Sequence, residues 1–263
     1  MLAQRIVTAL LLVSAAVASV ILLPTRWVAP VFALLWLAGA WEWAAFGGWQ
    51  GSARIGYAVM VGLLMLLAYW FAIDVRWLLY AAAGWWLIAF VWILKFPTTI
   101  PDRVVVVIGA VVLVPSWFAL VYLHGQEQGP MLVLTALGIV SAADVGAYFA
   151  GRQWGRHKLA PNVSPKKTWE GVLGGLAAAS MVAGVSAWLL GLHPIGLVLV
   201  GAVSAVVSIV GDLSVSMFKR NAGIKDSGNL LPGHGGVMDR IDSLSAAAPC
   251  FCLAVIAMGS ISV

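Results

Sequence analysis
Nine long stretches of almost unbroken apolar residues run along the chain, at roughly 6–23, 27–46, 55–73, 77–94, 104–123, 131–150, 171–190, 195–218 and 241–262. Charge, proline or glycine bounds each of them. A helix of about 20 residues rises about 30 Å, the thickness of a bilayer's hydrocarbon core. The pattern therefore predicts an all-α integral membrane protein with about nine transmembrane helices. A soluble helical protein with a large core would not need so many runs of spanning length. The first run, Ile6 to Leu23 after Arg5, resembles a secretory signal, with Ala16-Val17-Ala18 as the matching cleavage pattern. Its length suits a first spanning helix better.

Polar positions are spread unevenly. Residues 1–125 have short connections and few polar groups, whereas residues 126–263 contain two long loops, about 151–170 and 219–240. The expected organisation is one polytopic domain over 1–263, with 1–125 as scaffold and 126–263 as the catalytic part. No internal repeat is visible, which weighs against a transporter built from inverted halves.

Composition agrees with this picture. Hydrophobic residues make up 62% of the chain and charged residues 10%, with a mean hydropathy of +1.00. An ordinary soluble domain carries roughly 25% charged residues. The net charge of +5 gains meaning from where the cations lie. With a cytoplasmic N-terminus and nine spans, Arg5, Arg54, Lys95, Arg103, Arg152, Arg156, Lys158, Lys166, Lys167, Lys219, Arg220, Lys225 and Arg240 all face the cytoplasm. Only Arg26 and Arg76 face outward. The expected topology is N-terminus inside and C-terminus outside, in the inner membrane. The excess charge then faces anionic lipid, not nucleic acid. Cys250 and Cys252 point about 200° apart on a helix and read as small buried hydrophobes, not as a disulfide.

Two polar constellations stand out. In the first, Asp144 to Gly171, Asp144 sits on a predicted helix about 10 Å inside its cytoplasmic end, with Tyr148 on the same face. A carboxylate at that depth needs a partner or a wet cavity. The loop that follows is basic. Its arginines suit a topology signal, whereas Lys166-Lys167, between Ser164-Pro165 and Thr168, suit phosphate binding.

The second constellation, Gly211 to Ser243, holds eight of the 25 charged residues: Asp212, Lys219, Arg220, Lys225, Asp226, Asp239, Arg240 and Asp242. On a regular helix Asp212, Ser216 and Lys219 share a face, and so do Asp239, Asp242 and Ser243. Helix capping accounts for acids in a first turn but not for Asp212, which is mid-helix. Three carboxylates gathered from two helices repel unless a cation lies among them, and oxygen ligands suit Mg²⁺. His234 stands between glycines, Gly233 before it and Gly235-Gly236 after it, where backbone N–H groups can approach a phosphate. Glu42, between Trp41 and Trp43, reads as an interfacial or helix-paired acid. P-loop, H-E-x-x-H, G-x-S-x-G and G-x-G-x-x-G patterns are absent, so the equipment is that of metal-assisted phosphoryl or nucleotidyl transfer.

Ser216-Met217-Phe218-Lys219-Arg220, Lys225-Asp226, Pro232-Gly233-His234-Gly235-Gly236 and Asp239-Arg240-Ile241-Asp242 together resemble the signature of the phosphatidate cytidylyltransferases, or CDP-diacylglycerol synthases. The run Asn162-Val163-Ser164-Pro165-Lys166-Lys167-Thr168-Trp169-Glu170-Gly171 resembles the bacterial members. The resemblance implies that CTP and phosphatidate give CDP-diacylglycerol and pyrophosphate with Mg²⁺, with a second, monovalent cation such as K⁺ and a homodimer both within its scope. It assigns Asp212 and Asp239 to the metal centre, with Asp242 as ligand or close neighbour. Lys219, Arg220, Lys225, Lys166 and Lys167 are expected on phosphates, and Ser216 and His234 as hydrogen-bonding contacts. Asp226 and Arg240 complete the catalytic set. Asp144, Tyr148, Ser164, Thr168, Gly235 and Gly236 are expected to meet substrate. A CDP-alcohol phosphotransferase is the nearest other enzyme, but its D-G-x2-A-R-x8-G-x3-D-x3-D pattern is absent. A membrane transporter is the reading from another class.

Overall fold
In the computed structural model, residues 2–71, 73–231, 233 and 235–261 are described, with the backbone alone for residues 2–9 and 12. Among them nine helices follow the apolar runs: α1 Leu2–Leu22, α2 Thr25–Phe46, α3 Ser52–Trp70, α4 Val75–Lys95, α5 Asp102–His124, α6 Gly129–Trp154, α7 Trp169–Leu190, α8 Pro194–Asn221 and α9 Met238–Ala257. The last eight are long and apolar enough to cross a membrane; the described side chains of α1 form a shorter apolar run, Val13–Leu22. Boundaries move by a few residues from the hydropathy pattern. Helix α6 runs on through Arg152 to Trp154, and α9 begins three residues early, at Met238.

The expected basic loop is partly ordered as a hairpin. Strand β1, Lys158–Ala160, pairs antiparallel with β2, Ser164–Thr168, placing Lys158 opposite Thr168 and Ala160 opposite Ser164. Hydropathy gives no sign of so short a polar ribbon. Its ends are tied down: Thr168 Oγ1 accepts the Gly171 N–H at 3.1 Å as the N-cap of α7, and the Glu170 carboxylate lies 2.7 Å from His157 Nδ1. At the hairpin tip Asn162 Nδ2 donates to the Phe96 carbonyl, 3.3 Å away.

Helix α5 is the most buried span and lies against α2, α3, α4 and α9. Three aromatic donors in this core reach carbonyl acceptors on neighbouring helices, since an unpaired N–H in hydrocarbon is costly. Trp43 Nε1 donates to the Val105 carbonyl at 2.8 Å, Tyr57 to that of Val106 at 2.7 Å, and Trp117 Nε1 to that of Ala29 at 3.0 Å.

Two close helix contacts position the polar residues. Helices α6 and α7 meet through Gly146, Gly174 and Gly175. A methyl on Gly146 would lie 2.5 Å from the Gly174 carbonyl, and one on Gly175 would lie 2.8 Å from that of Ala143. Helices α8 and α9 meet at Gly211, where a methyl would lie 2.6 Å from Ala246 Cβ and 2.7 Å from the Asp242 carbonyl. Small residues let backbones approach in this way in membrane bundles. The second contact sets Asp212 beside Asp242.

Candidate active site
Helices α6, α8 and α9, the hairpin and the loop before α9 enclose a cavity of about 1220 Å³. Helix α6 contributes Ala143, Asp144, Ala147, Tyr148, Gly151 and Arg152, and strand β2 contributes Lys166, Lys167 and Thr168. Helix α8 adds Ile209, Asp212 and Lys219; the loop adds Asp226, Asn229, Leu231, Gly233 and Gly235; helix α9 adds Asp239, Arg240, Asp242 and Ser243. Gly171 and Val172 of α7 and Leu159 of β1 complete it. Every described wall residue comes from beyond residue 125.

Helix α8 continues unbroken through Asp212, so the expected face forms. Ser216 Oγ donates to Asp212 Oδ1 at 3.3 Å, and Lys167 of the hairpin lies 2.7 Å from Asp212 Oδ2. Lys219, one turn from Ser216, is buried and lies 2.6 Å from Asp239 Oδ1. The other Asp239 oxygen accepts the backbone N–H groups of Ser227 (3.0 Å) and Gly236 (3.3 Å). Asp242 is buried at 8% exposure, and its Oδ1 accepts the Ser243 N–H at 2.8 Å. Two lysine–aspartate pairs thus cross the cavity, one from hairpin to α8 and one from α8 to α9.

The loop from Ala222 to Val237 folds back on itself. The Leu231 N–H donates to the Gly235 carbonyl at 3.0 Å, a reversal for which Gly233 and Gly235 adopt positive φ of 77° and 81°. On the α6 wall Tyr148 is exposed, and its hydroxyl accepts from Arg152 Nη1 at 3.2 Å.

The remaining expected residues fall in several places. Ser164 lies in β2 away from the cavity walls, and Thr168 borders the cavity while its hydroxyl oxygen caps α7. Arg220 and Lys225 are exposed outside the wall, Arg220 Nη1 donating to the Ile224 carbonyl at 3.4 Å. Gly236 is buried within the loop, against Ser227 and Glu42. Pro232 and His234 lie outside the described residues.

Arg152, Asn229, Leu231 and Ser243 join the site without having been expected there. More consequential is Glu42. It is fully buried, and its Oε2 accepts hydrogen bonds from Ser227 Oγ at 2.9 Å and from the Met238 N–H at 2.7 Å. A lone acid between tryptophans in an otherwise apolar helix was the available signal.

Carboxylates, lysines and arginines around one large cavity suit a polyanionic ligand together with a hard cation. Among the described residues no three acidic, histidine or cysteine side chains are grouped to hold a metal by themselves. Mg²⁺ does not require that, since it is commonly held by one or two carboxylates with phosphate and water completing the shell. Asp212, Asp239 and Asp242 place carboxylate oxygens, the donor type such an ion takes, on the cavity wall.

Residues 3–258 match the Cytidylyltransferase family. The chain is 44% identical to a phosphatidate cytidylyltransferase of Pseudomonas aeruginosa over 269 aligned positions, covering 98% of each. It is 34% identical to one from Haemophilus influenzae, covering 95% of this chain and 97% of that protein. Against one from Brucella suis the identity is 44%, over 51% of this chain and 50% of the other. With the family matched over residues 3–258 and two relatives aligned over nearly the whole chain, the chain belongs to the cytidylyltransferase family.

Proposed function
We infer that the protein transfers the cytidylyl group of CTP to phosphatidate, giving CDP-diacylglycerol and pyrophosphate. The observation that carries this reading is the convergence of hairpin lysines with α8 and α9 aspartates on one cavity walled by membrane-spanning helices. A soluble triphosphate and a lipid phosphate need such a meeting place.

In the reaction an oxygen of the phosphatidate phosphate bonds to the α-phosphorus of CTP. The bond from that phosphorus to the β-phosphate oxygen breaks, and pyrophosphate leaves with the electron pair. The nucleophile is already largely ionised near neutral pH, because a phosphate monoester's second pKa is about 6. No side chain has to act as a strong base. The protein's part is to bind, orient and neutralise. Lys167 and Lys219, each within salt-bridge distance of a carboxylate, are placed to exchange it for phosphate oxygens, with Lys166, Arg152 and Arg240 on the same walls. Asp212 and Asp239, with Asp242 beside them, would hold Mg²⁺. When bound, that ion supplies charge neutralisation on the phosphates. Asp144 orients cationic groups from the α6 side. The lysine and arginine distribution favours an inner-membrane protein whose cavity faces the cytoplasm, where CTP is found.

The test uses purified protein in detergent with CTP labelled at the α-phosphorus. Label should enter the lipid fraction only when phosphatidate and Mg²⁺ are present, with one pyrophosphate released per lipid labelled. Transfer from CDP-diacylglycerol to an alcohol with release of CMP would replace this reading with a phosphotransferase. Lipid or ion flux in liposomes without nucleotide would replace it with a transporter.

A further inference from the structure
Glu42 belongs to α2, in the half of the chain from which no described residue reaches the cavity wall, yet it holds the loop that does. Its Oε2 takes hydrogen bonds from two points far apart in the loop's path, the Ser227 hydroxyl and the Met238 N–H. From the cavity side Asp239 Oδ2 takes the N–H groups of Ser227 and Gly236. Two carboxylates therefore grip the same crossing of the loop from opposite sides. Glycine makes this possible at two positions: a side chain on Gly228 or Gly236 would run into the Glu42 carboxylate. The other oxygen, Oε1, is buried without a hydrogen-bond partner among the described residues. A carboxylate in such a place is a poor way to gain stability. It is a good way to fix a backbone, because Met238 begins the helix that carries Asp239 and Asp242.

We propose that Glu42 is a positioning residue for cytidylyl transfer, setting through Ser227 and Met238 where the glycine-rich loop and Asp239 meet the phosphates. This rests on the reading of the cavity given above. What the role needs is an acceptor oxygen at that spot. Glutamine supplies one, alanine none, and Ser227→Ala removes only one of the two bonds.

The experiment measures kcat and KM for both substrates per monodisperse, folded molecule for the wild type, Glu42→Gln, Glu42→Ala, Ser227→Ala, the Glu42→Ala/Ser227→Ala pair and Asp239→Asn. Glu42→Ala should lower kcat by about 10- to 100-fold, as an ångström-scale misplacement does, and leave the KM for phosphatidate within about twofold. Glu42→Gln should stay within about threefold of wild type. Ser227→Ala should fall between, and the pair should be no worse than Glu42→Ala alone. Wild-type kcat in Ser227→Ala and Glu42→Ala, with only thermal stability lowered, would reduce Glu42 to a packing role. A Glu42→Gln enzyme as slow as Glu42→Ala would show that the charge matters and not the acceptor geometry, and would also overturn the proposal. If Glu42→Ala does not fold, the Ser227→Ala and Glu42→Gln results decide. Asp239→Asn separates the premise from the inference: full activity there overturns the reading of the cavity, whereas its loss beside a normal Glu42→Ala enzyme overturns the role of Glu42 alone.

Discussion
Lysine placement separates side chains that are adjacent in function but not in space. Lys219 is buried against Asp239, and Lys167 reaches across from the hairpin to Asp212, whereas Lys225 is exposed outside the cavity wall. Hydrogen bonds to charged groups contribute about 1.5–3 kcal/mol, so Lys167→Ala and Lys219→Ala should each lower kcat/KM for CTP by about 10- to 100-fold. Lys225→Ala should cost only a few-fold, as an exposed charge does. Steady-state assays at fixed Mg²⁺ check the order, and a Lys225→Ala loss larger than that of Lys219→Ala would reverse it. At this scale the sequence was informative wherever polarity was out of place. Asp144, Asp212 and the lysine pair stood out against apolar surroundings, and all line the cavity. Ser164 and Gly236 carried no such contrast, and neighbouring positions in the chain do not reveal which side of a strand or turn they face. Glu42 did stand out, but its partners lie 185 and 196 residues away in the chain. No local pattern encodes that pairing.

Helix spacing is where glycine substitutions should discriminate. At Gly211 an added methyl meets Ala246 and the Asp242 carbonyl, so Gly211→Ala must push α8 from α9 and part Asp212 from Asp242. Overpacking of this kind costs about 1–3 kcal/mol. The thermal transition in detergent should fall, and turnover with it. Gly56, exposed on α3 with open space around its added methyl, should tolerate alanine with a small gain, about 0.5–1 kcal/mol. Equal responses at the two sites would contradict the packing account. The spans themselves were legible from hydropathy alone, because each must bury its backbone in hydrocarbon and so advertises its length. The hairpin was not legible. Strands of three and five residues, one of them Ser-Pro-Lys-Lys-Thr, have no apolar alternation to betray them and are held by a cap, a carboxylate and a tip contact.

For the whole molecule, the proposed topology puts Lys158 and Glu127 on opposite sides of the membrane, one between α6 and α7 and the other between α5 and α6. In a chain with Cys250 and Cys252 replaced by alanine, Lys158→Cys should react with an impermeant maleimide only in inverted vesicles, and Glu127→Cys only in intact cells. The opposite pattern would invert the orientation. The described cavity wall comes from residues beyond 125, and α2, from the earlier part of the chain, reaches the loop through Glu42. Every role proposed for these side chains depends on that cavity being the place of cytidylyl transfer. Label transfer from CTP to phosphatidate by purified Asp212→Asn enzyme, folded and inserted as wild type and supplied with saturating Mg²⁺, tests it most directly. Removing a carboxylate that orients phosphate and metal should lower the rate by at least about 100-fold. A rate within about twofold of wild type would place the chemistry elsewhere.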